Sequence, residues 1–266
     1  MNRKAFHFAI GALALSILLS SCSSLPDPLG LFGKKASDRL SAEAASATGL
    51  TGFNRKLMFN MVYAQVFFVG GFGADLYALE ETQGTIWRVE SRDENGNVSK
   101  LESERALLKK LPNGDQWWFL AWRPEGDAIE FEALMTSAKD AKKIRYFNKD
   151  VNRVEEAVFD ETAKKDAQNA PPPDAAAGSM TRSDLAKLIK GKETITVGSG
   201  TYNTDRMEWT FTDQEEKTTY KYTWWVDAKV PGGLVKYLWT KEGSKQSLGG
   251  ELYSINKGYK TKFSSF

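Results

Sequence analysis

Cysteine and histidine each occur once in the 266 residues, as Cys22 and His7. A single thiol closes no disulfide within the chain, and one thiol with one imidazole cannot assemble a His/Cys zinc site. Both residues lie within the first 22 positions, so the remainder offers no Ser-His-Asp or Cys-His catalytic group. Any catalysis there would rest on carboxylate, Lys, Tyr or Ser side chains without imidazole. Excess charge is scarce too: the formal net charge is +2. Nothing in that balance points to nucleic acid or to an anionic surface as a partner. No segment repeats at a fixed period, and the apolar runs at residues 8–19 and 57–69 fall short of the about 20 residues of a membrane-spanning helix.

What is present begins with a basic start (Arg3, Lys4), an apolar run over residues 8–19 and small residues before a cysteine. That is the layout of an export signal. Leu19-Ser20-Ser21-Cys22 resembles the lipobox of bacterial lipoproteins. The resemblance implies that residues 1–21 are removed, that the Cys22 thiol carries a diacylglycerol and that the new amino terminus is acylated, as with palmitate. Ser23 and Ser24, with no aspartate directly after Cys22, resemble lipoproteins sent to the outer membrane. Removing residues 1–21 takes Lys plus Arg from 36 to 34, equal to the 34 Asp plus Glu, so the +2 belongs to the signal.

Five segments are expected: the signal at 1–21, a lipidated tether at 22–50, a β-meander half at 51–160, a low-complexity stretch at 161–180 and a helix followed by further strands at 181–266. The tether is rich in Ala and Ser, and a coil of its length reaches roughly 30 Å. Residues 57–69 are rich in Val, Phe and Tyr, which favours a strand covered on both faces and leaves a buried helix as the alternative. Asp93-Glu94-Asn95-Gly96-Asn97 and Leu111-Pro112-Asn113-Gly114 carry the Asn-Gly signal of tight turns, and Pro124-Glu125-Gly126-Asp127 is a third turn signal. Between and after them, residues 84–92, 116–123, 128–135, 144–147 and 154–159 read as strands, with 98–111 either a strand or partly helical. Pro171-Pro172-Pro173 marks a loop or linker. Leu185, Leu188 and Ile189 share a helical face ahead of Gly191. Strands follow at 193–197, 202–213, 218–227, 234–241 and 246–255, with a last one near 259–263. The fold class is mainly β: an antiparallel, strongly curved sheet or incomplete barrel with one or two short helices.

Neighbouring strand residues point to opposite faces, so Trp117-Trp118 and Trp224-Trp225 put indole on both sides of their sheets. One side is the core, and the other needs a cover. A concave face lined by Trp118, Trp122, Trp209 and Trp224 would make a pocket for an apolar ligand. The bland alternative is that all of these are ordinary core. Glu130 with Glu132, and Glu102 with Glu104, are the carboxylate pairs to weigh for glycosidase-like acid/base chemistry, and a solvated strand face explains them better. The chain ends in an aromatic, Phe266, but Ser264, Lys262 and Lys260 at alternate positions do not fit the lipid-facing pattern of an outer-membrane barrel strand. No metal-ligand set and no cofactor motif stands out.

Glu193-Thr194-Ile195-Thr196-Val197, Gly200-Thr201-Tyr202, Trp224-Trp225 and Val230-Pro231-Gly232-Gly233-Leu234-Val235-Lys236 resemble the TapB-like β-domains of exported bacterial proteins. The likeness spans residues 193–253, and that family's function is uncertain, so it implies a β fold and no reactive site. The expectation is therefore a lipid-anchored envelope protein, directed to the outer membrane, acting as a non-enzymatic binding module for an apolar ligand or lipid. The alternative is a structural or partner-binding lipoprotein contacting another envelope protein, with a carboxylate-dependent hydrolase behind both.

Overall fold

The computed structural model describes residues 50–67, 78–124, 128–137, 140–159, 182–213 and 217–263. The signal, Cys22, the tether, the turn at 125–127 and the stretch at 160–181 lie outside the described residues. Helix α1 (Leu50–Phe67) leads into strands β1 (Gln83–Arg92), β2 (Val98–Lys110), β3 (Gln116–Pro124), β4 (Ile129–Met135), β5 (Ala141–Asn148) and β6 (Arg153–Val158). Helix α2 (Arg182–Lys187) precedes β7 (Ile189–Val197), β8 (Gly200–Asp213), β9 (Thr218–Val226), β10 (Leu234–Lys241) and β11 (Ser247–Lys257). All eleven strands form one open sheet in the order β6-β5-β4-β3-β2-β1-β11-β10-β9-β8-β7. Every neighbouring pair is antiparallel.

The turns form where the sequence signals them. Gly96 and Gly114 adopt φ of 89° and 86°, and Asp93 accepts the Gly96 N–H through its carbonyl. Gly232 and Gly233, at φ 80° and 78°, turn the chain so that Leu234 and Val235 enter the core at 1% and 0% exposure. Residues 98–111, with two readings from sequence, are strand.

Residues 57–67 correct the strand expectation: they belong to the 18-residue helix α1. Phe59, Val62, Val66 and Phe67 are all at most 2% exposed and recur at helical spacing. The sequence around them is almost continuously apolar, which hides the stripe. The helix packs its stripe on β2, β3 and β6, and that burial outweighs the strand preference of Val, Phe and Tyr. Arg105 on β2 is 1% exposed, and its Nη1 donates to the Val66 carbonyl at 2.7 Å, where a helix end leaves carbonyls without intrahelical donors.

The β7–β11 half curls. In a flat sheet β7 would lie about 19 Å from β11, at about 4.8 Å per strand. Instead the turn between β7 and β8 reaches it, and Ser199 N–H and Oγ both donate to the Leu252 carbonyl, at 3.2 and 2.9 Å. Val197 at the end of β7 joins Trp87, Trp224, Tyr237 and Leu252 in one buried cluster, so the curl encloses that face of the sheet. We call it the inner face. Gly250 leaves space there for Tyr237, whose ring would lie 2.4 Å from a Cβ at that position.

The outer face carries cross-strand ion pairs: Arg88 with Glu102 at 2.9 Å, Lys221 with Glu208 at 3.2 Å and Arg145 with Glu156 at 2.6 Å. Across β1–β4 this face is covered by the chain's own end. Residues 259–263 form no ladder, which corrects the expected last strand. They cross the sheet as a strap held by carboxylates. The Tyr259 hydroxyl donates to Glu104, and its ring fits over Gly84, where a Cβ would lie 2.6 Å from it. Glu132, 0% exposed, accepts from the Thr261 hydroxyl at 2.8 Å and from the Lys262 and Phe263 N–H groups. Glu130 accepts from Lys262 Nζ at 2.6 Å, and Arg123 bridges Glu104 and Glu130 at 2.6 and 3.1 Å.

The strap also corrects the reading of Glu104, Glu130 and Glu132 as a solvated face. Alternation placed Glu130 and Glu132 opposite Phe131, which is where they are. The segment that covers them lies about 130 residues further along the chain.

Burial and the bond to Glu104 push the Tyr259 hydroxyl up to about 12. A raised folded value means that this contribution to stability is whole below the ordinary tyrosine value near 10 and is lost as pH rises toward 12. The chain should therefore unfold at lower temperature between pH 10 and 12, and Tyr259→Phe should flatten that part of the decline. Melting temperatures of both proteins across pH 8–12 check this, and parallel curves would refute it.

Candidate functional site

Register alone assigns the inner face. Thr85, Trp87 and Val89 on β1 stand beside Arg105, Ser103 and Leu101 on β2; Leu120 and Trp122 continue the first two rows on β3, where Trp118 pairs with Leu107. On the other side of β1, Trp87 pairs with Leu252 and Val89 with Gly250. From there Gly250 pairs with Tyr237, Tyr237 with Trp224 and Trp224 with Met207. The row through Trp239, Tyr222 and Trp209 runs alongside. One face of one sheet therefore carries apolar and aromatic side chains from β4 to β8.

All four expected aromatics, Trp118, Trp122, Trp209 and Trp224, are on this face, but in two separate clusters. Trp118 is 0% exposed and meets Phe67 of α1 edge-on at 5.2 Å, and Trp122 packs part-buried in the same helix-covered cluster. Trp224 is 0% exposed and stacks with the half-buried Trp209 at 6.5 Å and 15°. Trp209 also lies 5.1 Å from Tyr222 and 5.8 Å from Phe211, which is 43% exposed. The aromatic row thus runs from the core out to solvent along β8. The partner indoles of the two pairs face outward as alternation requires. Trp117 is capped by the Arg145 guanidinium at 4.0 Å, and Trp225 donates to Glu193 at 2.9 Å.

The inner face also holds polar groups that pattern reading passed over. Thr85, Ser103 and Arg105 are 1%, 2% and 1% exposed, in the middle of apolar rows. Ser103 and Arg105 lie within a charge-rich strand whose alternation gives no sign of burial, whereas Thr85 is an ordinary strand residue by type. Trp87 beside them is 2% exposed, and Trp239, two strands away on β10, is 1% exposed. The strap occupies three of the four glutamates weighed for chemistry: each of the six carboxylate oxygens of Glu104, Glu130 and Glu132 has a donor, while Glu102 pairs with Arg88. Among the described residues, no group of three or more His, Cys, Asp or Glu is placed to hold a metal ion. No described helix is long and apolar enough to cross a membrane.

No family model matches the chain, and no curated protein does. Several solved structures overlap it in part. A Bacteroides fragilis protein described as exported, with a YmcC-like fold, is 10% identical with a TM-score of 0.36, covering 69% of this chain and 100% of that one. A Parabacteroides distasonis protein described as a lipoprotein is 12% identical with a TM-score of 0.33, over 69% of this chain and 99% of that one. MucB in the Pseudomonas aeruginosa MucA/MucB complex is 17% identical with a TM-score of 0.36, over 68% of this chain and 54% of that one. None of these values assigns a function to this chain.

Proposed function

We propose that this chain is a lipoprotein of the bacterial cell envelope, anchored through Cys22 and directed to the outer membrane, whose inner sheet face holds an apolar ligand or lipid without chemical turnover. The observation that carries the binding role is the aromatic row on β8 and β9, which leaves the core at Trp224 and ends at the half-buried Trp209 and the exposed Phe211. Aromatic surface continuous with an interior and open at one end is what an apolar ligand site offers. The anchor rests on Leu19-Ser20-Ser21-Cys22. Carboxylate chemistry is disfavoured because the clustered glutamates hold the strap.

Chain carrying Cys22→Ser should leave the membrane fraction and, while folded, take up an apolar fluorescent probe such as N-phenylnaphthylamine. Uptake should fall several-fold in Trp209→Ala. Persistent membrane association would overturn the anchor, and uptake seen only after unfolding would overturn the binding role. The partner-binding reading has support of its own at the sheet edge. Strand β6 is terminal, and Val154 and Val158 on it are 38% and 62% exposed beside Phe147 at 43%. An edge strand that exposes apolar side chains between its charged ones is a template for pairing. Crosslinking of an envelope protein through β6 without probe uptake would favour that reading.

A further inference from the structure

Two rows on the inner face bring hydrogen-bond donors together across three adjacent strands. Thr85 pairs with Arg105 in one, and Trp87, Ser103 and Trp122 follow one another in the next. Thr85 Oγ1 and the indole nitrogens of Trp87 and Trp122 are sealed from solvent, and none has a hydrogen-bond partner among the described residues. Trp239 Nε1 on β10 is in the same condition.

Leaving one such group without a partner destabilises the fold, and folded proteins leave few of them. These four fall on one face of one sheet. Three are indole N–H groups, which can only donate, and the fourth is a hydroxyl, which donates as readily as it accepts. The missing partner therefore supplies acceptors. The surroundings are Leu120, Trp118, Leu252 and Tyr237, so the partner also has an apolar body. An alkane would satisfy the walls and leave the donors bare. A sugar or a peptide would bring donors of its own into a wall that has few acceptors.

We infer that the Thr85-Trp87-Trp122 patch binds the carbonyl oxygens of an acyl lipid, with the hydrocarbon chain lying along the aromatic rows toward Trp239. The inference rests on the apolar-binding reading and narrows it. The face discriminates acyl from alkyl lipids, because only the former carry a carbonyl acceptor at the head of the chain. Two carbonyl oxygens of one ester-linked lipid, or the two oxygens of one carboxylate, suffice for the three donors, since a carbonyl oxygen accepts two bonds.

The test uses a matched pair of ligands. Full chain carrying Cys22→Ser is loaded with N-phenylnaphthylamine and competed with 1,2-dipalmitoylglycerol or with 1,2-di-O-hexadecylglycerol, which keeps the chain lengths and replaces both esters by ethers. The ester should compete at least about ten-fold better. Thr85→Val, Trp87→Phe and Trp122→Phe should each reduce that ester-to-ether preference by about five-fold, the value of one hydrogen bond near 1 kcal/mol. Equal competition by ester and ether would overturn the inference and leave the apolar site standing. Failure to take up the probe at all would instead remove the reading on which it rests. Ligand-free Thr85→Val should be as stable as the parent or more so, because it deletes a hydroxyl with no partner. A loss of stability there would show that the hydroxyl is already satisfied and would also overturn the inference.

Discussion

Replacing Glu132 by alanine is expected to lower the unfolding free energy by about 3 kcal/mol or more and to release the C-terminal strap. The side chain is fully buried and accepts three hydrogen bonds, two of them from backbone N–H groups that have no ladder partner. Removing the acceptor leaves those donors unsatisfied against Phe119 and Ala121, and each such group costs about 1–3 kcal/mol. Glu132→Gln keeps one acceptor oxygen for both backbone N–H groups and turns its NH₂ toward the Thr261 hydroxyl, which can accept, so a smaller loss is expected. Two measurements check it: urea unfolding for the magnitude, and limited proteolysis for early cleavage near residues 258–263. An alanine variant with unchanged stability and an uncut C-terminus would mean that the strap is held by Tyr259 and Lys262 alone.

The second large effect separates two adjacent tryptophans. Trp224→Ala should cost about 3–5 kcal/mol, because a fully buried indole among Tyr222, Trp209 and Met207 is replaced by a cavity. Trp225→Ala, one residue on, should cost about 1 kcal/mol or less. Its indole lies on the outer face, with one exposed hydrogen bond to Glu193 and the Lys236 ammonium 5.4 Å from its ring. Thermal or urea unfolding of the two variants gives the comparison directly. Equal costs would contradict the two-faced assignment of the sheet.

That assignment is the part of the fold most legible from sequence. Alternation within a strand is local, so Ile129, Phe131 and Ala133 could be placed on one face and Glu130 and Glu132 on the other without knowing any neighbour. The Asn-Gly and Pro-Gly-Gly turns are local as well, and they located the hairpins. Two things were not local. Helix α1 shows a stripe only once its partner strands are known, since residues 57–67 are apolar nearly all round. The burial of Glu132 depends on a segment from the far end of the chain, and nothing within β4 announces it. For the candidate site the same division holds. Trp118, Trp122, Trp209 and Trp224 could be selected by residue type and spacing, and they do share a face. Trp87 could be selected by type as well, but Thr85 beside it became visible only when register set β1 against β2 and β3.

The sheet order also bears on how the molecule is assembled. Strand β1 is flanked by β2 and by β11, the last strand of the chain, with Gln83 opposite Lys257. A chain leaving the ribosome amino-terminus first completes β1 through β10 as two unjoined pieces, each with an open edge. Residues 247–257 then arrive as the strip that fuses them. Pairings this distant in sequence are slow to find, and open edges are where chains stick to one another. Nascent molecules thus pass through a vulnerable interval that closes only once residues 247–257 have emerged, and a chain cut short before residue 247 would stay in it.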